Sequence, residues 1–404
     1  MKKILILSHS EICYNARLLK AADFFYSQGW AVTVFNPVIG LARKDTYDEV
    51  VDNRPWKVLE NDISKRTYKS KFKWFVVSVL HKLVVLSVER LNWVIFQDYY
   101  LNKGLILAPQ FDQDVDVVLV HLIDNLPFAT RFKKKYGAQI IYDSQEYFVG
   151  QYDAFDPKHS KWVKENEKRC MDEVTILLTT TEVMRQQLLA DYTFLGPSFR
   201  VRNIPTRAQS NLMYPDSNSE TGPLKLVWHG MGIFLNNRRG LHILLQAVAL
   251  CKENVVLYFQ GNITQEQNKL LDGYIQKYSM GNKVLVKPPA NPDQIIDSLK
   301  GFDVGLTGEL PEEDNQRLTS SNKLFDYLHA GLAVISADTP GLAETVDEYS
   351  VGLLYQPGNV EELSHKIDEL AADKIKLTAF KEHSKLAAKE LFWETDYKDV
   401  IQDL

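Results

Sequence analysis

The stretch "SSNKLFDYLHAGLAVI" (Ser320 to Ile335) decides the reading of the fold. It reads as a short helix that passes through His329, Ala330 and Gly331 into a buried, β-branched strand. Four polar residues open the helix: Ser320, Ser321, Asn322 and Lys323. A helix N-terminus already attracts anions through its free N–H groups and its dipole. A lysine at that end raises the question of whether a phosphate sits there.

The same alternation fills the second half. "LKLVWHG", "NVVLYFQGN", "KVLVKPP", "FDVGLTGE", "AVISAD" and "GLLYQP" read as strands, with helical segments such as "RGLHILLQAVALCK" between them. Upstream, "TRAQSNLMYPDSNSETGP" is rich in Ser, Asn, Pro and Asp and has no period, so it reads as a linker. The first half alternates as well, through "KILILSH", "WAVTVFNP", "VDVVLVH", "AQIIYDS", "EVTILLTT" and "FRVRNIP". This is the pattern of parallel sheets covered by helices on both faces. The expected architecture is α/β, with two tandem doubly wound Rossmann-like domains facing a cleft. Residues 1–205 form the first domain with a helical insert at 64–107, and 206–223 form the linker. Residues 224–385 form the second domain, and 386–404 a closing helix. Ligands of such sheets bind beyond the carboxyl ends of the strands, here in the cleft between domains.

Composition sets bounds. The 404 residues are too many for one ordinary core, and 45% hydrophobic with 25% charged residues is a globular balance. A formal net charge of -5 argues against a nucleic-acid binder. Three scattered cysteines (Cys13, Cys170, Cys251) make no CxxC pair and fit a reducing compartment, with no metal or disulfide signature. "MKKILILSHSE" has a short apolar run followed at once by His9 and Glu11, so it reads as a first strand and not as a signal segment.

One segment breaks the alternation. "SKRTYKSKFKWFVVSVLHKLVVLSVERLNWVIF" (Ser64 to Phe96) opens with Lys65, Arg66, Lys69, Lys71 and Lys73 and turns apolar from Trp74. Two readings stand: helices packed on the first domain with a solvated basic end, or a helix lying on an anionic membrane surface.

The candidate chemistry collects at strand ends. The first strand–helix junction, "SHSEICYNAR", has no glycine, so the dinucleotide fingerprint is absent. "HGMG" places Gly230 and Gly232 after the first strand of the second domain, as a simple turn or as a close approach to a ligand. "NNRRG" puts Arg238 and Arg239 at a helix start, the wrong end for the dipole unless an anion compensates. Asp326, one turn inside the opening helix, is a surface carboxylate or a partner for a ribose diol. Asp112 to Asp116 ("DQDVD") precede a strand, and a polar loop accounts for them better than a metal does. His121 ends its strand and is expected to point into the cleft. Asp143 and Glu146 in "YDSQEYF" end the next one. Each of the three is either structural or a group that holds a sugar or handles a proton.

These residues match a known pattern. "SSNKLFDYLHAGLAVISADTPGLAE" is similar to the "P-x-K-L-F-E-Y-M-A-x-G-x-P-V-I" run of GT-B glycosyltransferases, in the large retaining group related to sucrose and mannosyl transferases. "RRGLHILLQA" resembles its "K-G-x-x-x-L-L-x-A" run, and "FWETDYKDVI" its closing Trp-Glu helix, which crosses back to the first domain. "DVVLVH" and "IYDSQEYF" resemble the strand with an active-site His and a "Y-D-x-H-E-x-F" loop. The resemblance spans nearly the whole chain and is most specific from Leu224 to Pro357.

The resemblance implies roles. Arg239 would grip the donor diphosphate, with Arg238 beside it, and Asp326 would bind the ribose. His121 would stand by the donor sugar, and Ser321, Asn322 and Lys323 would face the diphosphate. The group's signature is Glu, seven residues, Glu, whereas this chain has Leu318 and Asp326. Glu309 or the loop "PEEDN" is the substitute the sequence offers for the first. Met231 replaces an arginine, and Gln145 the loop His. The implied activity is retaining transfer from a nucleotide diphosphate sugar, a UDP-sugar, to a lipid-linked or polysaccharide acceptor, with no metal or other cofactor. The implied place is the cytoplasm, with a peripheral membrane contact through 64–96. A sugar-nucleotide epimerase of the same fold and a catalytically silent glycan- or partner-binding subunit are the alternatives.

Overall fold

The computed structural model describes residues 1–8, 11–38, 44–62, 67–69, 71–72, 75–76, 79, 113–152, 157–214, 222–235 and 239–404. Most of the insert read at 64–107, part of the linker and Arg238 lie outside these residues.

Seven strands form the first sheet: β1 (Lys3–Leu7), β2 (Ala31–Val38), β3 (Lys57–Asp62), β4 (Val117–His121), β5 (Gln139–Ser144), β6 (Ile176–Thr179) and β7 (Ser198–Arg200). Six form the second: β8 (Leu224–Gly232), β9 (Val255–Asn262), β10 (Val284–Lys287), β11 (Val304–Leu306), β12 (Ala333–Ala337) and β13 (Gly352–Tyr355). The orders are β3-β2-β1-β4-β5-β6-β7 and β10-β9-β8-β11-β12-β13, and neighbouring strands are parallel. Parallel neighbours require crossover helices, which cover both faces of a sheet. That is why Ile4, Leu5, Ile6 and Leu7 are all fully buried although they alternate faces.

Each sheet reverses its order next to its first strand, between β1 and β4 and between β8 and β11. The loops leaving these strands part to opposite faces there and leave a crevice at the carboxyl edge. In the second half, the loop after β8 leads to the helix Leu241–Leu250, and the segment after β11 runs through the short helix Asp314–Leu318 to the helix Asn322–His329. Glycine lets these two loops touch. Gly240 has φ +63°, and a Cβ on it would lie 1.8 Å from the Gly308 carbonyl oxygen.

The halves are tied at several points. The helix Trp393–Gln402 lies on the first half, where Tyr397 meets Phe24 and Phe25 edge-on at 5.5 and 5.9 Å. The Trp393 N–H donates to the Pro205 carbonyl, and Arg202 pairs with Asp396 at 2.6 Å. Glu344 of the second half accepts from the Glu182 and Val183 N–H groups that open a first-half helix, and Arg200 pairs with it at 2.6 Å. His329 is pinned as a neutral ring: burial pulls it down to about 4, with the Leu391 carbonyl opposing. Its Nε2–H donates to that carbonyl at 2.8 Å, and its Nδ1 accepts from the Ser210 hydroxyl at 2.6 Å. One imidazole thus holds the interdomain connection and the C-terminal segment to the second sheet.

Candidate active site

A cleft of about 1250 Å³ opens between the two carboxyl edges. Tyr14, Lys20 and Arg54 line it from the first half, and His229, Gly230, Met231, Arg239, Gln260, Asn322, Lys323 and Asp326 from the second. Trp393 and Glu394 of the closing helix complete it.

Five residues singled out in the sequence therefore share one wall: Gly230, Arg239, Asn322, Lys323 and Asp326. Three others hold them from behind. The Gly232 carbonyl accepts from the Arg239 guanidinium at 3.1 Å. Lys323 Nζ donates to Ser321 Oγ at 3.1 Å and to Glu309 Oε1 at 3.4 Å, and lies 5.4 Å from the centre of the Trp228 ring. Glu309 thus sets the position of Lys323, and its Oε2 is buried without a hydrogen-bond partner. Ser321 caps the helix without a side-chain bond to its first turn. The cleft wall therefore carries a helix N-terminus with two cations beside it. Asp326, one turn further on, stands 3.3 Å from His229 Nε2.

The first-half residues are placed differently from expectation. His121 and Asp143 do lie side by side at the carboxyl edges of β4 and β5, in register. Their side chains are fully buried, however, and neither they nor Glu146 line the cleft. Arg17 reaches from the helix Ala16–Ser27 to make two 2.7 Å bonds to Asp143 in the interior of the first half. Burial pushes the Asp143 carboxyl up, but the Arg17 charge and the bonds from His121 and Arg17 outweigh it and hold it at about 2. Asp143 Oδ2 lies 2.9 Å from His121 Nδ1, Gln145 Nε2 stands 2.7 Å from the same nitrogen, and His121 Nε2 is buried without a hydrogen-bond partner. Glu146 turns to the second half, where Asn315 Nδ2 donates to its Oε2 at 2.7 Å.

Leu318 stands where the resemblance expects a glutamate. It packs on the apolar cluster of the first half, and its carbonyl accepts from the Thr181 hydroxyl. Asp116 accepts from the Lys3 N–H at the amino edge of the first sheet, far from the cleft chemistry. Among the described residues, no group of three or more His, Cys, Asp or Glu side chains could hold a metal ion.

Sequence reasoning missed Arg17, Lys20, His229 and Gln260. Arg17 carried a signal: it falls on the buried stripe of its helix with Leu18, Ala21, Ala22 and Phe25. Lys20 lies one turn further on, donates to the Ile204 carbonyl at 2.7 Å and sits over Trp393.

Residues 234–387 match the family model described as "Glycosyl transferases group 1". No curated protein matches the chain at the level of sequence. Solved structures match over its whole length. Sucrose-phosphate synthase from Thermosynechococcus elongatus is 14% identical, with a TM-score of 0.72 over 100% of this chain and 98% of that one. Anabaena HepE in complex with UDP is 14% identical, with a TM-score of 0.66 over 100% of both chains. A mutant of S. aureus TarM in complex with fondaparinux, alpha-GlcNAc-glycerol and UDP is 11% identical, with a TM-score of 0.64 over 100% of this chain and 99% of that one. The fold is the two-domain α/β arrangement of GT-B glycosyltransferases. The family model, matched over the half that carries the cationic helix start, supports a glycosyltransferase.

Proposed function

We propose that the chain is a retaining glycosyltransferase. It takes a sugar from a nucleotide diphosphate sugar, a UDP-sugar, and passes it to a lipid-linked or polysaccharide acceptor in surface-glycan synthesis. One observation carries this reading: Arg239, Asn322, Lys323 and Asp326 share one cleft wall at the switch point of the second sheet.

Arg239, Lys323 and the first N–H groups of the helix Asn322–His329 form an anion site for the donor diphosphate. Negative charge grows on that group as the bond from the sugar C1 to the phosphate oxygen breaks, and donors fixed in place stabilise it. The acceptor oxygen bonds to C1 on the same face, and its proton goes to the leaving phosphate oxygen. No protein nucleophile takes part, and no metal is assigned a step. Asp326 takes the ribose diol. His121, Asp143 and Glu146 stand behind the cleft without lining it and are assigned no contact with the donor, with Arg17 and His121 meeting at Asp143.

The enzyme works in the cytoplasm, at the inner face of a membrane. Tyr68, Phe72, Phe75 and Val79 are exposed and recur at helical spacing, beside exposed Lys69 and Lys71. Such a face suits an anionic lipid surface. Among the described residues, no helix is long and apolar enough to cross a membrane.

The test is incubation with a panel of nucleotide sugars and acceptor-bearing membranes, with free nucleotide diphosphate as the readout. Release from a UDP-sugar that depends on the membranes supports the proposal, and no release from any donor rejects it. A second reading, a silent subunit that binds a nucleotide without turnover, is favoured by Leu318, whose side chain is committed to the first half. Intact nucleotide binding without release would select it.

A further inference from the structure

Gln260 lies near the carboxyl end of β9, lines the cleft and is only 6% exposed. Its Nε2 donates to Ser298 Oγ at 2.8 Å, and Ser298 gives its own proton to the Ile295 carbonyl at 2.6 Å. A hydroxyl has one proton, so Ser298 can only accept from Gln260. This fixes which way round the amide sits. Its other end, Oε1, is an acceptor, buried and without a partner. An unpaired buried carbonyl is costly and calls for a donor from outside the chain.

Its place in the sheet says which donor. Asn322 and Lys323 follow β11, Asp326 meets His229 on β8, and Gln260 is in register with His229 one strand further out. Pro289 and Ala290, after β10, line the cleft beyond it. Strands lie ~4.8 Å apart, so the path from β11 to β10 spans roughly 14 Å, about the length of a nucleoside diphosphate. With the diphosphate at the helix start and the ribose at Asp326, the base falls beside Gln260.

We propose that Gln260 selects the base. Its fixed carbonyl accepts the ring N–H of a keto base, N3–H of uracil or N1–H of guanine. It disfavours cytosine and adenine, whose bare ring nitrogen would face it lone pair to lone pair. This rests on the proposed function only in placing a nucleoside diphosphate in the cleft.

The experiment is calorimetric titration of the full chain with UDP, GDP, CDP, ADP and N3-methyl-UDP. The expected result is a keto nucleotide bound at least about tenfold tighter than CDP or ADP, one hydrogen bond's worth. The UDP-to-GDP ratio tells uracil from guanine. If uracil is the base, N3-methylation brings UDP down to the level of CDP. If guanine is, GDP loses its lead over ADP in the variants. Gln260→Leu weakens the keto nucleotide alone. Ser298→Ala, which does not touch the cleft, frees the amide to turn and narrows the same gap while the melting temperature checks the fold. Equal affinity for keto and bare-nitrogen bases in the wild type, or a Gln260→Leu loss shared equally by all of them, overturns the proposal and leaves the proposed function standing. Absence of binding by every nucleotide overturns both.

Discussion

Arg17 closes on Asp143 through two parallel bonds, Nε to Oδ2 and Nη2 to Oδ1, each 2.7 Å, across 126 residues of chain. The guanidinium also stacks on Trp393 of the closing helix, 4.9 Å from the ring centre. Removing one partner of such a buried pair strands the other charge. Arg17→Met should cost ~3–5 kcal/mol of stability, and adding Asp143→Asn should restore much of it. The pH dependence has a definite sign. Asp143 falls from 3.8 to about 2 in the folded chain. Its contribution is therefore present above pH 3.8 and is lost as pH falls through about 2. Urea titrations at neutral pH and near pH 3 check both points, and a single mutant as stable as the wild type would contradict the first.

Arg239→Ala should weaken nucleoside diphosphate binding by about 1.5–3 kcal/mol, the range of charge-assisted bonds to a phosphate. Because Arg239 also bonds the Gly232 carbonyl, a melting curve must accompany the titration. Unchanged affinity in a folded variant removes the arginine from the site.

Lys20 should make binding depend on pH. Burial pulls it down to about 8, against the pull of Asp326, with Arg17 lowering it further and Glu394 raising it. Below that pH it presents a cation to the cleft, and above it a neutral amine. Affinity for UDP should fall roughly fivefold between pH 7 and 9, the scale of one screened charge contact. Lys20→Arg should flatten the decline, because arginine stays charged. A decline that survives in Lys20→Arg assigns the titration elsewhere.

Asn315 is a hinge contact that can be opened. Its Oδ1 accepts from the Tyr147 N–H at 2.7 Å while its Nδ2 serves Glu146. Asn315→Ala takes the acceptor from the Tyr147 N–H, at ~1–3 kcal/mol if that group stays buried. The relief is for the halves to part. Small-angle scattering should show a larger radius of gyration for the variant than for the wild type, and identical curves would reject the hinge role.

The parts of the site legible in the sequence are those set by neighbours along the chain. A helix start reads locally: Ser321, Asn322 and Lys323 adjoin, and Asp326 follows at one turn. The alternation of strand and helix implied two parallel sheets with ligands beyond their carboxyl ends, and the cleft opens there. Arg17, Lys20 and Gln260 act through partners brought near only by the fold: Asp143, Ile204 and Ser298. His121 shows the same limit from the other side. Its position at a strand end was readable, but its burial beside Asp143 is set by the fold. Leu318 was visible as a departure, and only its packing on the first half shows what it does instead.

The helix start at Ser321 is the proposed seat of a diphosphate. A crystal structure of the chain with UDP bound tests it most directly. The diphosphate is expected within hydrogen-bond reach of the Asn322 and Lys323 N–H groups, with Arg239 beside it and the ribose at Asp326. UDP bound elsewhere, or a cleft left empty at saturating UDP, would contradict it.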